Sequence, residues 1–145
     1  MTVSVPVMSL SNSFVLPSNA YDGDAGLDLH SCQKLTLKPF ERAAVSCGLA
    51  LAIPEGYAGL IVPRSGLAVR HGISVVNAPG LIDSGYRGEI KVILVNLDPH
   101  DSFDIHIGDR IAQLVIVQVP SVSLPIVERL PESSRGNGGF GSSGV

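Results

Sequence analysis

The chain has no tryptophan, and only three Tyr and four Phe occur among its 145 residues. Aromatic rings therefore cannot dominate the core, which must rest on aliphatic side chains. Charge is sparse as well. Ten Lys and Arg stand against 13 Asp and Glu, with a formal net charge of −3. No basic field is available to hold a nucleic-acid backbone, so no nucleic-acid partner is expected. The first cation is Lys34, so a charged leader segment is not expected either. Cysteine is limited to Cys32 and Cys47, and neither lies in a CxxC pair. Both read as small core side chains in a reducing cytoplasm, with a single disulfide as the alternative. The uncharged run Ile111 to Val127 is interrupted by Gln113, Gln118, Pro120 and Pro125. Its alternation reads as a buried strand followed by a turn, not as a membrane span.

What is present points to strands. Val and Ile far outnumber the aromatics, and β-branched side chains suit a pleated surface. Sixteen Gly and ten Pro, spread through the chain, imply many turns. Strands are expected over 2–8, 35–37, 43–53, 57–62, 73–76, 89–97, 103–107 and 110–119, with a further one over 122–127. Pro6 confines the first to a sheet edge or a special pairing. No segment sustains a 3.6-residue apolar period. The one helix expected runs from Ser65 to His71, closed by Gly72 and capped by Ser65. The expected fold is all-β: a jelly roll or distorted barrel with one short helix. Residues 1–130 form that domain. Residues 131–145 are Gly- and Ser-rich and read as a mobile arm, in which Arg135 and Phe140 stand out.

Four stretches in the barrel carry residues suited to chemistry. In Gly80-Leu81-Ile82-Asp83-Ser84-Gly85-Tyr86-Arg87-Gly88-Glu89, glycines let backbone approach a flat ligand. Asp83 could act there as a general base, and Tyr86 could offer a ring face. A lone Asp in such a turn is more often structural. Pro63-Arg64-Ser65-Gly66 brings a guanidinium, a hydroxyl and a helix start together, which suits phosphate. The plain alternative is a strand-to-helix turn. Asp28, between Leu27 and Leu29, points away from the apolar face and reads as an exposed carboxylate or as a guide for a Mg-bound water. Asp109 and Arg110 read as folding or subunit contacts. Gln113, in an apolar strand, needs a partner in backbone or substrate phosphate.

Each motif alone is weak. Together AGLDLHS, PRSGLA, GLIDSGYRGE, GDRIAQL and RGNGGFGSSG run in that order over residues 25–144. This resembles the five ordered motifs of the homotrimeric dUTPase family, which hydrolyses dUTP to dUMP and pyrophosphate. Gly85 departs from the Asp that many members carry.

The resemblance implies a trimeric jelly roll with three active sites at subunit junctions. Asn77 and the GLIDSGY hairpin would come from one subunit, PRSG from a second and the arm from the third. It implies Asp83 as the base that activates water against the α-phosphorus. It implies Mg²⁺ held mainly by the triphosphate, with Asp28 touching it through water. Arg64, Ser65, Gly66 and Gln113 would meet phosphates, and Arg135 the γ-phosphate. Phe140 would stack on uracil, with Gly141, Ser142 and Ser143 adding contacts. Asn77, Leu81, Ile82 and Lys91 would face the base, and Tyr86 the deoxyribose. A cytoplasmic role follows: supply of dUMP and exclusion of uracil from DNA. The rival readings are a dCTP deaminase, which needs a catalytic Glu near the base, and a non-enzymatic jelly-roll trimer. Asp83 without a Glu beside it, and the Phe-bearing arm, favour the dUTPase.

Overall fold

The computed structural model describes residues 2–144. Met1 and Val145, the outer ends of the two expected units, lie outside the described residues. Ten strands and one helix follow in order. They are β1 Val7–Ser9, β2 Leu27–His30, β3 Leu35–Leu37, β4 Arg42–Leu51 and β5 Tyr57–Val62, then α1 Ser65–His71. After it come β6 Ile73–Val75, β7 Gly80–Ile82, β8 Glu89–Asn96, β9 Phe103–Ile105 and β10 Arg110–Gln118. One sheet runs β1-β4-β8-β6 and a second runs β2-β10-β5-β7, with β3 and β9 paired apart. Every pairing is antiparallel. This is the expected all-β jelly roll with one short helix.

Alternation explains how the sheets close on each other. Along β8, Ile90, Val92 and Leu94 turn inward, while Glu89, Lys91 and Ile93 face the other way. The core joins these to Val45, Leu49 and Leu51 of β4 and to Leu29, Ile61, Ile111 and Leu114 of the second sheet. Aromatics contribute little to it, as the composition requires. Cys47 belongs to this core, and burial pushes its thiol up to about 12, with Cys32 and Glu89 adding to the shift. Both cysteines are free.

Asn96 ends β8 as a fully buried polar residue. Its Nδ2 donates to Leu37 O at 3.0 Å and to Asp101 O at 2.8 Å, and its Oδ1 accepts from Asp98 N at 2.9 Å. It ties β3 to the loop after β8. Asn96→Ala leaves two carbonyls and one N–H without that partner, and it is expected to lower stability by about 1–3 kcal/mol. Urea unfolding at matched protein concentration, with an unchanged slope, checks this.

Three local expectations need correction. The first strand is Val7–Ser9, not 2–8. It does sit at a sheet edge, and Pro6, which has no N–H to give, accepts there from Ala52 N at 2.9 Å. Residues 122–127 form no strand, although Val122, Leu124 and Ile126 alternate, because no neighbouring strand in this chain receives them. Ser65 does not cap α1. Arg64 holds the cap position, without a side-chain cap bond, and Ser65 is the first helical residue. Gly72 closes the helix as expected, with φ +64° and its N–H bonded back to Ala68 O. Among the described residues no helix is long and apolar enough to cross a membrane.

Candidate active site

The chain folds back on itself between β5 and β8. Glycine at 80 lets β7 lie close against Ile61. A turn over 83–88 then returns the chain into β8. Tyr86 N donates to Asp83 O at 3.1 Å. Arg87 Nη1 donates to Ser84 O at 2.6 Å and to Tyr86 O at 2.9 Å, so one guanidinium clamps the turn. Tyr86 Oη donates to Glu89 O at 2.9 Å. The ring lies over Gly88, where any Cβ would strike it.

A cleft of about 490 Å³ opens between this hairpin and the outer face of β8. Asn77, Leu81, Ile82, Asp83, Tyr86 and Lys91 line it, so the six hairpin residues expected at the site meet in one place. The Ala78–Pro79 peptide beside Asn77 is cis. Asp83 is exposed at the rim, and its carboxylate has no hydrogen bond or ion pair with another described residue. β7 is the last strand of its sheet, so its outer backbone edge has no strand partner.

A second group forms where β2, β10 and the start of α1 meet. Arg64 Nε lies 3.3 Å from Asp28 Oδ1, and Arg110 Nη1 lies 3.7 Å from Asp28 Oδ2. Gln113 pairs in register with Asp28 on one side and Val62 on the other. Its amide fills the space above Gly26, where a Cβ would collide with it. Asp28 is buried, contrary to the expectation of an exposed carboxylate, because two arginines cover it. Those same arginines neutralise it, which makes its burial tolerable. Burial, with Arg110 and Arg64 beside it, holds His30 below the usual imidazole range, against the pull of Asp28. Ser65 and Gly66 follow at the helix start, and Ser65 is exposed.

The arm is the third group. Arg135 Nε donates to Gly138 O at 2.8 Å, so it folds back on its own segment. Phe140 is fully exposed, with φ +51°, and Gly141 and Ser142 sit beside it in turns. No described arm residue lines the cleft. Among the described residues no group of three His, Cys, Asp or Glu could hold a metal ion.

A family model described as dUTPase matches residues 12–144. The chain belongs to the dUTPase family. It is 55% identical to the deoxyuridine 5'-triphosphate nucleotidohydrolase of Mycobacterium leprae, over 99% of this chain and 97% of that one. Its identity to the enzyme of that name in Thermobifida fusca is 53%, over 99% and 80%. Among solved structures, a dUTPase mutant of Staphylococcus bacteriophage 80alpha with dUpNHpp superposes with a TM-score of 0.93 at 33% identity, covering 99% of this chain and 100% of that chain. A mutant dUTPase from phage phi11 of S. aureus, whose structure describes coordination of a structural Mg(II) ion, gives 0.81 at 28%, covering 87% and 97%.

Against the dUTPase motifs, one residue was missed. Glu89 lines the cleft, so a glutamate does stand near the proposed base position. Its carboxylate is engaged by Ser46 Oγ and by Lys91 Nζ, the latter at 3.7 Å. The signal was available in β8, where period-two alternation places Glu89, Lys91 and Ile93 on one face. Arg110, read as a folding or subunit contact, makes such a folding contact within the chain with Asp28. Its antiparallel register, Arg110 opposite His30, was not deducible without knowing that β10 pairs β2.

Proposed function

We propose that this chain hydrolyses dUTP to dUMP and pyrophosphate, with Asp83 as general base. The observation that carries the reading is the free carboxylate of Asp83 at the rim of the hairpin cleft, in a chain of the dUTPase family. Asp83 takes a proton from water. The water oxygen bonds to the α-phosphorus, the α–β bridging P–O bond breaks, and pyrophosphate leaves with the electron pair. The base lies along β7, whose outer backbone edge offers N–H and C=O groups to a uracil edge. Cytosine presents an amino donor where uracil presents an acceptor, so groups matched to uracil are left unpaired. Asn77 and Lys91 add side-chain contacts, and Leu81 and Ile82 wall the base.

Arg64, Ser65, Gly66 and Gln113 meet the phosphates, and Arg135, Phe140, Gly141, Ser142 and Ser143 close over them from the arm. The donor set fits Mg²⁺ that arrives with the triphosphate, because the described residues gather no group of three His, Cys, Asp or Glu to hold the ion by themselves. Asp28 would touch such an ion through water while Arg64 and Arg110 hold its carboxylate in place. When bound, Mg²⁺ screens the phosphate charge that opposes attack.

The three groups of residues are separate within one chain, which supports a homotrimer with sites at subunit junctions. Residues 120–130 are exposed throughout, and Val122, Leu124 and Ile126 present an alternating apolar edge with no partner in the chain. The barrel is residues 1–130, and residues 131–145 are the arm that closes on a neighbouring subunit. The enzyme works in the cytoplasm, where its two thiols stay reduced, and it keeps uracil out of DNA. Pyrophosphate release from each dNTP, with and without Mg²⁺, tests the reading. Release from dUTP alone, dependent on Mg²⁺, is expected, and ammonia from dCTP would replace it with the deaminase.

Tyr86 selects the sugar. Its ring is fixed by the bond to Glu89 O, so a deoxyribose can pack flat on it while a ribose would press a hydroxyl against carbon. A hydroxyl desolvated in that way costs about 1–3 kcal/mol. Tyr86→Ala is expected to shrink the dUTP/UTP ratio of kcat/KM by at least ~10-fold, whereas Tyr86→Phe keeps most of it. An unchanged ratio in folded Tyr86→Ala would return the ring to a packing role.

A further inference from the structure

The cleft holds two carboxylates in opposite situations. Asp83 is free of protein partners. Glu89 is engaged at both oxygens: Ser46 Oγ donates to Oε1, and Lys91 Nζ lies 3.7 Å from Oε2. We propose that Ser46, which does not line the cleft, is a specificity-determining positioning residue that keeps Glu89 from acting as an acceptor for the base. The inference rests on the dUTPase reading of the cleft.

The fold places Ser46 for this task. Ser46 on β4 stands in register opposite Lys91 on β8. The pairing then shifts, and Glu89 lies opposite Ala50. Gly48 takes φ +65° within that irregularity, which a side chain would not tolerate because its Cβ would press on Cys32 and Ser11. Opposite Lys91, Ser46 is the diagonal neighbour of Glu89 two residues along β8, within reach of its carboxylate. Behind it, Ser46 N donates to Gln33 Oε1, and Gln33 N donates to Ser31 Oγ at 3.1 Å. A polar chain from Ser31 through Gln33 thus fixes Ser46, and Ser46 fixes Glu89.

The consequence follows from the donor and acceptor inventory. An ionised carboxylate only accepts, and an ammonium only donates. Cytosine carries an amino donor at the position where uracil carries a carbonyl acceptor. A Glu89 carboxylate released into the cleft would attract the cytosine amino group and repel the uracil oxygen. Tied to Ser46 of β4 and paired with Lys91, the carboxylate is held in one orientation, and Lys91 adds its donors to the cleft. Discrimination of this kind rests on removing an attraction to the wrong base, in addition to matching the right one.

The test compares binding of dUMP and dCMP by calorimetry in the parent, Ser46→Ala, Ser46→Thr, Glu89→Met and the double variant Ser46→Ala with Glu89→Met. Ser46→Ala is expected to narrow the preference for dUMP over dCMP by at least ~10-fold. Ser46→Thr keeps the hydroxyl and the preference. Glu89→Met and the double variant keep the preference as well, because the competing acceptor is gone. A merely structural Ser46 would weaken both ligands alike and leave their ratio unchanged. An unchanged ratio in folded Ser46→Ala overturns the proposal, and so does a narrowed ratio that persists in the double variant. Absence of dUTP hydrolysis by the parent would instead sink the reading of the site as a whole.

Discussion

Asp83→Asn is expected to lower dUTP turnover by a factor of at least ~10² while leaving nucleotide affinity within a few-fold of the parent. The carboxylate sits exposed at the rim of the cleft, and no described side chain or backbone group hydrogen-bonds to it. Its amide therefore fits the same space without breaking a contact. The turn around it does not depend on the side chain: Tyr86 N bonds the main-chain oxygen of Asp83, and Arg87 bonds Ser84 O and Tyr86 O. What the amide cannot do is take a proton from water. The proposed base and sugar contacts lie elsewhere, in β7, Asn77, Tyr86 and Lys91, so binding is expected to survive. Steady-state rates combined with titration of a non-hydrolysable dUTP analogue separate the two quantities. Turnover near that of the parent would remove Asp83 from the chemistry.

Much of this arrangement could be read from the chain before its shape was known, for identifiable reasons. Strand alternation survives folding because burial on one face imposes it, so β5, β8 and β10 fall within a few residues of expectation. The helix was legible from Gly72, whose left-handed backbone suits the residue. The hairpin site was legible because its parts are contiguous: Asn77 to Lys91 span a single turn and its flanks. Residues far apart in the chain were harder. Asp28 looked exposed from its leucine neighbours, and only the β2–β10 register and the approach of α1 bring Arg64 and Arg110 onto it. Ser46 gave no local sign of function, because its reach to Glu89 depends on the β4–β8 register, which sets Ser46 opposite Lys91. The strand expected at 122–127 was a correct reading of pattern but not of outcome. Alternation shows that a segment can pair, and it does not say which chain supplies the partner.

Deleting residues 132–145 is expected to leave the barrel folded in the proposed trimer and to cut dUTP turnover by ~10²-fold or more. Among the described residues no hydrogen bond or ion pair ties the barrel to the arm. The hydrogen bonds its residues make are internal, such as Gly136 N to Ser133 O, Gly138 N to Arg135 O and Ser142 N to Gly139 O. Nearly all of it is exposed, so truncation uncovers little apolar surface. Light scattering should therefore give the same assembly mass as the full chain. The loss should appear in turnover, since the arm adds a cation, Arg135, and an aromatic ring, Phe140, to those the cleft already holds in Lys91 and Tyr86. Arg135 is the only Lys or Arg beyond Arg129. Phe140 is fully exposed with φ +51°, a costly backbone state for an aromatic residue, and Gly136, Gly141 and Gly144 give the segment freedom to rearrange. A lid built this way is expected to order on nucleotide, exclude bulk water and align the phosphates for attack. Phe140→Trp places a single indole in a chain that has no other, so closure should shift its emission when a non-hydrolysable dUTP analogue is added. The shift should be absent with dUMP, whose single phosphate leaves Arg135 without a γ-phosphate to hold. A truncated enzyme as active as the full chain, or an indole blind to the analogue, would leave the arm without a part in the reaction.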